Sequence, residues 1–438
     1  MITENKVTLS GTIVWLVCTL FFLYEFLLRT VLGTFQSPIM DELHLTPVQF
    51  AFLSSTVFQL IYGVMQIPVG IFADNFGLKK TLLSAVILCT VANLGFSLAH
   101  NFTVAILFRM LMGLGASCGF ICLLIAIYDW MPRKNIAFFV GISQFIGTIG
   151  PMMAAGPLSS ASYVSTVSWR DVFFTLSLIG LVITILVFLY VDNNRSQRSK
   201  FIILSHSTSL LTSLGNLIKQ KQIWFIAIYS AFIYFSIEYL TENEGVAFLV
   251  QKGFSQTFSS YMITVAWLGY AISCPLLGYF SDKSQRRKPF MLISSLTILF
   301  SLIIIIYLPI KKELLLICFA LLGVGAGGSS IGFAIMAEHC KEASLAAGLA
   351  LNNTMIVISS AVNAPLIGYV LSRSSTVKMQ LLNYQEAFII MVLLAISATL
   401  IVIFYIKETF CKSTCNNTIL TLKEKPSLYM DTLLSTET

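Results

Sequence analysis

Two short stretches decide how this chain is built: Gly70-Ile-Phe-Ala-Asp74-Asn-Phe-Gly77-Leu-Lys79-Lys80 and Gly278-Tyr-Phe-Ser-Asp282-Lys-Ser-Gln-Arg286-Arg287-Lys288. Each has a glycine, three residues, an aspartate and then a basic pair, and the second follows the first at a distance of 208 residues. Each also closes one long apolar run and opens another. A motif repeated about half a chain later, in the same place between two such runs, marks an internal duplication.

The apolar runs set the class. Of 438 residues 57% are hydrophobic and 11% charged, and mean hydropathy is +0.85. Ordinary globular domains are roughly 45–50% apolar and about 25% charged, so too few charges remain here to coat a water-exposed surface. A helix needs about 20 mainly apolar residues to cross the hydrocarbon. Twelve such stretches are read near 11–33, 47–73, 79–99, 102–127, 136–157, 171–192, 222–247, 257–280, 288–309, 313–336, 343–371 and 385–407. The expected fold is an all-α polytopic membrane protein, twelve transmembrane helices in two six-helix pseudo-repeats. Residues 1–192 form one half and 222–407 the other, with a polar, Ser-rich cytoplasmic linker at 193–221 and a polar tail at 408–438 that is expected to be disordered. The loops are too short for an extramembrane catalytic domain. No cleavable leader is read, because the first apolar stretch is too long for a signal-peptide core.

Lys and Arg orient the spans, since cytoplasmic loops carry an excess of them. With the amino terminus inside, the inner segments hold nineteen, and the outer loops hold six: Arg170, Lys252, Lys311, Lys312, Arg373 and Lys378. Both termini are therefore expected in the cytoplasm, with the protein in the cell (inner) membrane. The net charge of +7 follows from this bias, so no nucleic-acid partner is inferred. The nine cysteines are odd in number and none is on an outer loop, which implies neither a disulfide framework nor a zinc site.

The repeated loop resembles the signature of the major facilitator superfamily, G-x-x-x-D-R-x-G-R-R between spans two and three. Here Asn75 stands where that family usually has Arg, and Leu78 precedes the basic pair. Arg109-Met-Leu-Met-Gly113-Leu-Gly115 in span four is similar to a second signature of the family, R-x-x-x-G-x-G. The resemblance extends to span count and the mid-chain break, and it implies the MFS fold and transport by alternating access. Tyr24-Glu25-Phe-Leu-Leu-Arg29 also resembles a branch of phagosomal nutrient transporters and their relatives in intracellular bacteria. Gly147-x-x-Gly150-Pro151 partly resembles the family's antiporter signature, but Ala154 and Ala155 occupy the places of its paired glycines, which leaves the direction of transport open.

What the repeated loop does physically is separable from the family. Asp74 and Asp282, with Gly70, Gly77, Lys79, Lys80, Gly278, Arg286 and Arg287 around them, sit at inner helix ends. A carboxylate there faces the positive start of a helix and a basic side chain on the next span, which makes a conformational latch. The plain alternative is a loop whose charges only set topology.

A charged side chain near the middle of a membrane helix costs about 2.5–3.5 kcal/mol to insert, so charges inside spans are candidates for function. They are Glu25, Arg29, Arg109 and Glu238, with Glu242 and Glu244 nearer the outer end of span seven. At 1.5 Å per residue, Glu25 lies about 21 Å up span one and Arg109 about 10 Å down span four, nearly the same height in a core about 30 Å thick. A Glu25–Arg109 pair is therefore expected. Glu25 and Arg29 also share a helix face at i,i+4, so Arg29 is the alternative partner. Glu25 or Glu238 is the expected proton carrier, the proton leaving as the partner engages substrate. Gln59, Tyr62, Gln66, Gln144, Tyr234, Trp267, Tyr270, Asn352, Asn353 and Asn363 outline a polar cavity, although amides in spans also serve to tie helices together.

No Walker loop, HExxH, CxxC pair or nucleophile elbow is found, so neither an ATP-driven pump nor an enzyme is inferred, and no cofactor or metal. The reading is a monomeric secondary transporter in the lipid bilayer that couples H⁺ to uptake of a small-molecule substrate bearing a carboxylate, an amino acid or organic acid. A carboxylate siderophore transporter, a proton-antiport exporter and a non-transporting solute sensor remain as alternatives.

Overall fold

The computed structural model describes residues 7–132, 136–160, 167–192, 215, 217–340, 345–373 and 381–412. The Asp74 side chain, most of the 193–221 linker and the tail beyond Lys412 lie outside the described residues. Twelve helices are long and apolar enough to cross a membrane. Span one is Leu9–Thr34; span two runs from Pro47 to Phe76; spans three to six are Leu78–Ser97, Phe102–Trp130, Phe139–Leu158 and Trp169–Tyr190. Spans seven to twelve are Lys221–Glu242, Gln256–Ser284, Lys288–Tyr307, Lys312–Glu338, Ala347–Arg373 and Leu381–Phe404. No strand occurs among the described residues. This is what the bilayer demands, because backbone groups in hydrocarbon must bond within their own segment. With twelve spans both described ends lie on one face, here the termini face; the opposite one is the distal face.

Polar residues mark where helices begin. Spans two, four, six and eight start on the distal face, and Thr46, Asn101, Ser168 and Ser255 each accept a backbone N–H there through the side chain. At Thr46 the bond is reciprocal, with Gln49 reaching back to form a capping box.

Several spans are interrupted, and the interruptions matter for the site. Span two passes through a π turn at Phe52–Thr56 and span five through another at Ala154–Leu158. Spans four and ten break in the middle, after Ala116 and after Ala326, and in both the next N–H doubles back onto two carbonyls, those of Gly113 and Gly115 or of Gly323 and Gly325. The fourth helix of each half thus carries the same joint 210 residues apart. Sequence equivalence extends to the helix before the joint, where Phe319 occupies the place of Arg109. Gly113 lies against the Phe58 carbonyl of span two and Gly115 against Ala85 of span three; Gly323 and Gly325 repeat this against Ala266 of span eight and Ser294 of span nine.

Span seven is shorter than the expected 222–247. It stops at Glu242, and a separate helix, Gly245–Gln251, follows. The chain turns at Asn243 (φ −134°, ψ −119°), whose side chain is bonded to span two, and Gly245 folds so closely onto the Leu240 carbonyl that no side chain fits.

The hydrogen bonds that cross from the first six spans to the last six are shortest toward the distal face. Ser159 and Ser260 hydroxyls lie 2.6 Å apart, Thr56 donates to Ala361 O at 2.8 Å, and Thr264 donates to Met152 O at 3.0 Å. Nearer mid-membrane they lengthen, to 3.4 Å for Thr354 on Gly63 O and 3.5 Å for Asn353 on Gln66. The distal side of the interface is closed.

The repeated loop turns differently in its two copies. Gly77 sits at φ 83°, ψ 168°, a conformation open to glycine alone, whereas its counterpart Gln285 is left-handed at φ 53°. A left-handed non-glycine residue costs roughly 1–2 kcal/mol, partly offset by the Gln285 amide on Asp282 O at 2.8 Å. Gln285→Gly is accordingly expected to leave thermal unfolding unchanged or raise its midpoint. Gly113→Ala, whose Cβ would come 2.7 Å from Phe58 O, is expected to lower it by an overpacking cost of about 1–3 kcal/mol; both are read by fluorescence size-exclusion thermostability in detergent.

Candidate substrate and proton-coupling site

Span one brings Arg29 to the interface, where it meets span seven. The guanidinium pairs with Glu238 through Nη2 and, at 3.3 Å, with Glu242 Oε1 through Nε; Arg29 is 5% exposed and the two carboxylates 1% or less. Span two contributes the neutral half of the contact. Gln59 donates its amide to Glu238 Oε1 at 3.2 Å and to Glu242 Oε1 at 3.1 Å, and Ser55 donates to Glu242 Oε2 at 2.9 Å. Asn243 extends the chain, donating to Ser55 Oγ at 2.9 Å and accepting from Ser54 at 2.6 Å. Gly33, one turn along from Arg29, has bare backbone against Thr241 O, which lets spans one and seven approach closely enough for the ion pairs. The result is a buried lock whose cation comes from the first six spans and whose carboxylates come from the last six.

Glu25 stands apart from it. The side chain is fully buried, and neither carboxylate oxygen has a hydrogen-bond partner. Its Cγ lies over the bare backbone of Gly119, at the joint of span four, where a Cβ would come within 2.8 Å. The expected Glu25–Arg109 pair is not formed. Arg109 instead spends its donors on four backbone carbonyls: Leu28 (2.7 Å) and Arg29 (3.0 Å) of span one, and Leu53 (3.3 Å) and Ser54 (2.9 Å) of span two. The physical reason is the π turn at Phe52–Thr56. A π turn displaces carbonyls from the regular ladder, and a buried guanidinium with a fixed fan of N–H groups satisfies them. Phe58 covers the guanidinium at 4.3 Å. Equal height in the membrane did not bring the two side chains together: Arg109 meets span one at the Leu28 and Arg29 carbonyls instead.

Of the expected cavity residues, Tyr62, Tyr234, Trp267 and Tyr270 come together. Tyr234, Trp267 and Tyr270 meet edge to face at 5.6–6.2 Å, the Trp267 indole donates to Thr241 at 2.7 Å, and the Tyr62 ring lies 5.9 Å from the Arg29 guanidinium. Gln66 and Asn353 face each other across the halves below this group. Asn352 is buried with neither amide atom partnered. Asn363 bonds within its own helix to Ser359, and Gln144 has no hydrogen bond to the lock among the described residues. Glu242, read from the sequence as nearer the outer end of span seven, is the last residue of that helix and is fully buried in the lock. Its spacing, i+4 from Glu238 and facing Ser55 and Gln59 at i,i+4, was the available signal.

Compared with known proteins, the model of the Major Facilitator Superfamily matches residues 16–310 and 245–414. The chain belongs to that superfamily. Its twelve apolar helices are what such a membrane protein requires. Among curated relatives, it is 25% identical to the hexuronate transporter of Bacillus subtilis over 60% of this chain and 63% of that one, and 29% identical to the probable L-galactonate transporter of Escherichia coli over 37% and 35%. The matches thus span less than two thirds of those relatives. Among solved structures, the D-xylose-proton symporter superposes with a TM-score of 0.74 at 15% identity, covering 92% of this chain and 99% of that one. A bacterial homolog of the human lysosomal transporter Spinster, inward-facing and occupied, gives 0.70 at 17% over 91% and 97%.

The facilitator's repeated loops are built unequally. At the second copy Arg287 pairs with Asp282 at 2.6 Å and with Glu338, at the end of span ten, at 2.8 Å. Burial disfavours the Arg287 charge, but Glu338 and Asp282 outweigh it and hold the guanidinium above its ordinary range. Glu408, just past span twelve, accepts from the N–H groups of Arg287 and Lys288 at 2.8 and 2.9 Å and so caps span nine. Arg286, expected beside Arg287 in the latch, is exposed instead. At the first copy Lys79 reaches Asp192 at 3.3 Å and Lys80 is exposed. Gly147 and Gly150, from the partial antiporter signature, seat span five on Phe22 and Leu23 of span one.

Arg109→Lys keeps a charge but forfeits most of the four carbonyl bonds, and at roughly 1.5–3 kcal/mol for each charged bond the variant is expected to lose folded protein in detergent. Its loss should appear as lowered thermostability rather than as a changed pH dependence of transport.

Proposed function

We propose that this facilitator takes up a small carboxylate-bearing solute with H⁺ by alternating access. The halves 1–192 and 222–407 move as two bodies joined by the linker at 193–221, and the tail at 408–438 stays on the cytoplasmic side. The excess of Lys and Arg on the termini face supports a cytoplasmic position for that face at the inner membrane; on this reading the closed distal face is the outer one and the state described is turned inward.

One observation carries the substrate reading: Arg109 is committed to backbone carbonyls, which leaves Arg29 as the buried guanidinium whose partners are side chains that part when the halves separate. A carboxylate entering from outside would take the place of Glu238 and Glu242 on Arg29 in the fork geometry that guanidinium favours. The aromatic group of Tyr62, Tyr234, Trp267 and Tyr270 and the amides of Gln59, Gln66 and Asn353 suit the carbon skeleton and hydroxyls of an organic acid. Relatives named for hexuronate and L-galactonate fit that side of the choice better than an amino acid. The protein works as a monomer, and Glu25 or Glu238 carries the proton.

Purified protein in liposomes, screened by thermal shift and then by uptake of labelled organic acids and amino acids, is expected to accumulate an organic acid only under an inward H⁺ gradient. Arg29→Gln should weaken its binding by about 10–150-fold, the equivalent of one charge-assisted bond. If Glu25→Gln and Glu238→Gln both leave gradient-driven accumulation intact, the proton assignment is wrong; if nothing undergoes counterflow, so is the transporter's proposed substrate class.

A further inference from the structure

Charge accounting around the lock is closed only if one member is neutral. Arg29 and Arg109 are balanced by Glu238 and Glu242, all four at 5% exposure or less. An ionised Glu25 would add a fifth buried charge with no hydrogen bond to either oxygen, and an uncompensated buried charge costs several kcal/mol. Glu25 therefore holds its proton in the distal-closed state. Yet Arg29 is one turn away on the same helix, within reach of Glu25 at i,i+4.

We propose that Arg29 exchanges partners between halves: it bridges Glu238 and Glu242 while Glu25 is protonated, and turns back to Glu25 when that proton leaves, which unlocks the distal face. This rests on the proton-coupled reading above and assigns its switch to Glu25 rather than Glu238. Loss of H⁺ from the Glu25 carboxyl into water on the termini side creates a carboxylate that competes for the guanidinium from the same helix. Span one cannot follow its old partners at that point, because Arg109 staples Leu28 and Arg29 of span one to Leu53 and Ser54 of span two, and these move as one piece. Glu238 and Glu242 are left on the other half, where the opening face hydrates them. Proton binding from the distal side reverses each step.

The other titratable groups that face Glu25 do not provide a rival switch. Tyr62 of span two, Cys89 of span three, with Cys118 of span four beside it, and Tyr234 of span seven are neutral groups around it; Arg29 is the cation that acts on its carboxyl. Arg29 itself faces Glu238, Glu242, Tyr62, Tyr234 and Glu25. Glu244, beyond the turn at Asn243, bonds to Tyr384 and lies off the lock.

Distances across the distal face test this without any substrate. Spin labels attached through an unnatural ketone amino acid at the exposed positions Asp41 and Gln251 leave the nine native cysteines untouched. In nanodiscs, electron–electron distance distributions of the otherwise wild-type protein are expected to gain a longer, distal-open population as pH rises. Glu25→Gln should stay in the short population at every pH, Glu25→Asp should restore the response, and the double variant Glu238→Gln with Glu242→Gln should favour the long one throughout. A Glu25→Gln protein that still opens with pH, or a wild type whose distances ignore pH, overturns the exchange. If uptake nevertheless follows the H⁺ gradient, the proton-coupled reading survives that failure; if distances respond through Glu25 but uptake ignores the gradient, the reverse holds.

Discussion

A guanidinium held between carboxylates, all of them buried, is the interaction on which this architecture turns. Breaking such a pair by removing one partner costs about 3–5 kcal/mol, far more than a surface ion pair contributes. The pairs therefore hold spans one and seven together in the state described far more firmly than a surface contact would. Around the lock, Ser54, Ser55, Gln59 and Asn243 supply direction, because each donates or accepts along a line that exists only when span two meets the end of span seven.

Local irregularity of the backbone serves the same end. The π turn in span two releases carbonyls that Arg109 then collects, so an interruption in one helix becomes a brace between two. The joint in span four places glycine backbone under Glu25, leaving the carboxyl room without offering it a polar neighbour. At the distal rim, burial raises the Glu42 carboxyl, but hydrogen bonds from Arg170 and Trp169 outweigh this and hold it below the usual carboxylate range. That clip fastens the short helix after span one to the start of span six. It is present near neutrality and is lost as pH falls through the lowered value.

Much of this was legible in the residues. Span count and the doubled loop follow from hydropathy and spacing, which report length along a helix directly. The cost of burying charge singled out Glu25, Arg29, Arg109 and Glu238 without any structure. Azimuth was not legible. Glu25 and Arg109 share a height, yet Arg109 is turned toward the π turn, a feature with no clear sequence mark, and Glu25 is left alone. Glu242 was read as nearer the outer end of span seven, and the helix does end on it; what buries it is its set of partners on other spans, Arg29, Ser55 and Gln59, which spacing along one helix does not report. Asn363 bonds to Ser359 one turn before it on the same helix, a pairing that spacing allows and that the reading of a polar face did not draw out.

Duplication kept the scaffold and not the chemistry. Phe319 in span ten stands where span four has Arg109, although the glycines and the joint that follow are the same. Span four thus carries a brace that span ten lacks, so the two halves, alike in their joints, are not interchangeable.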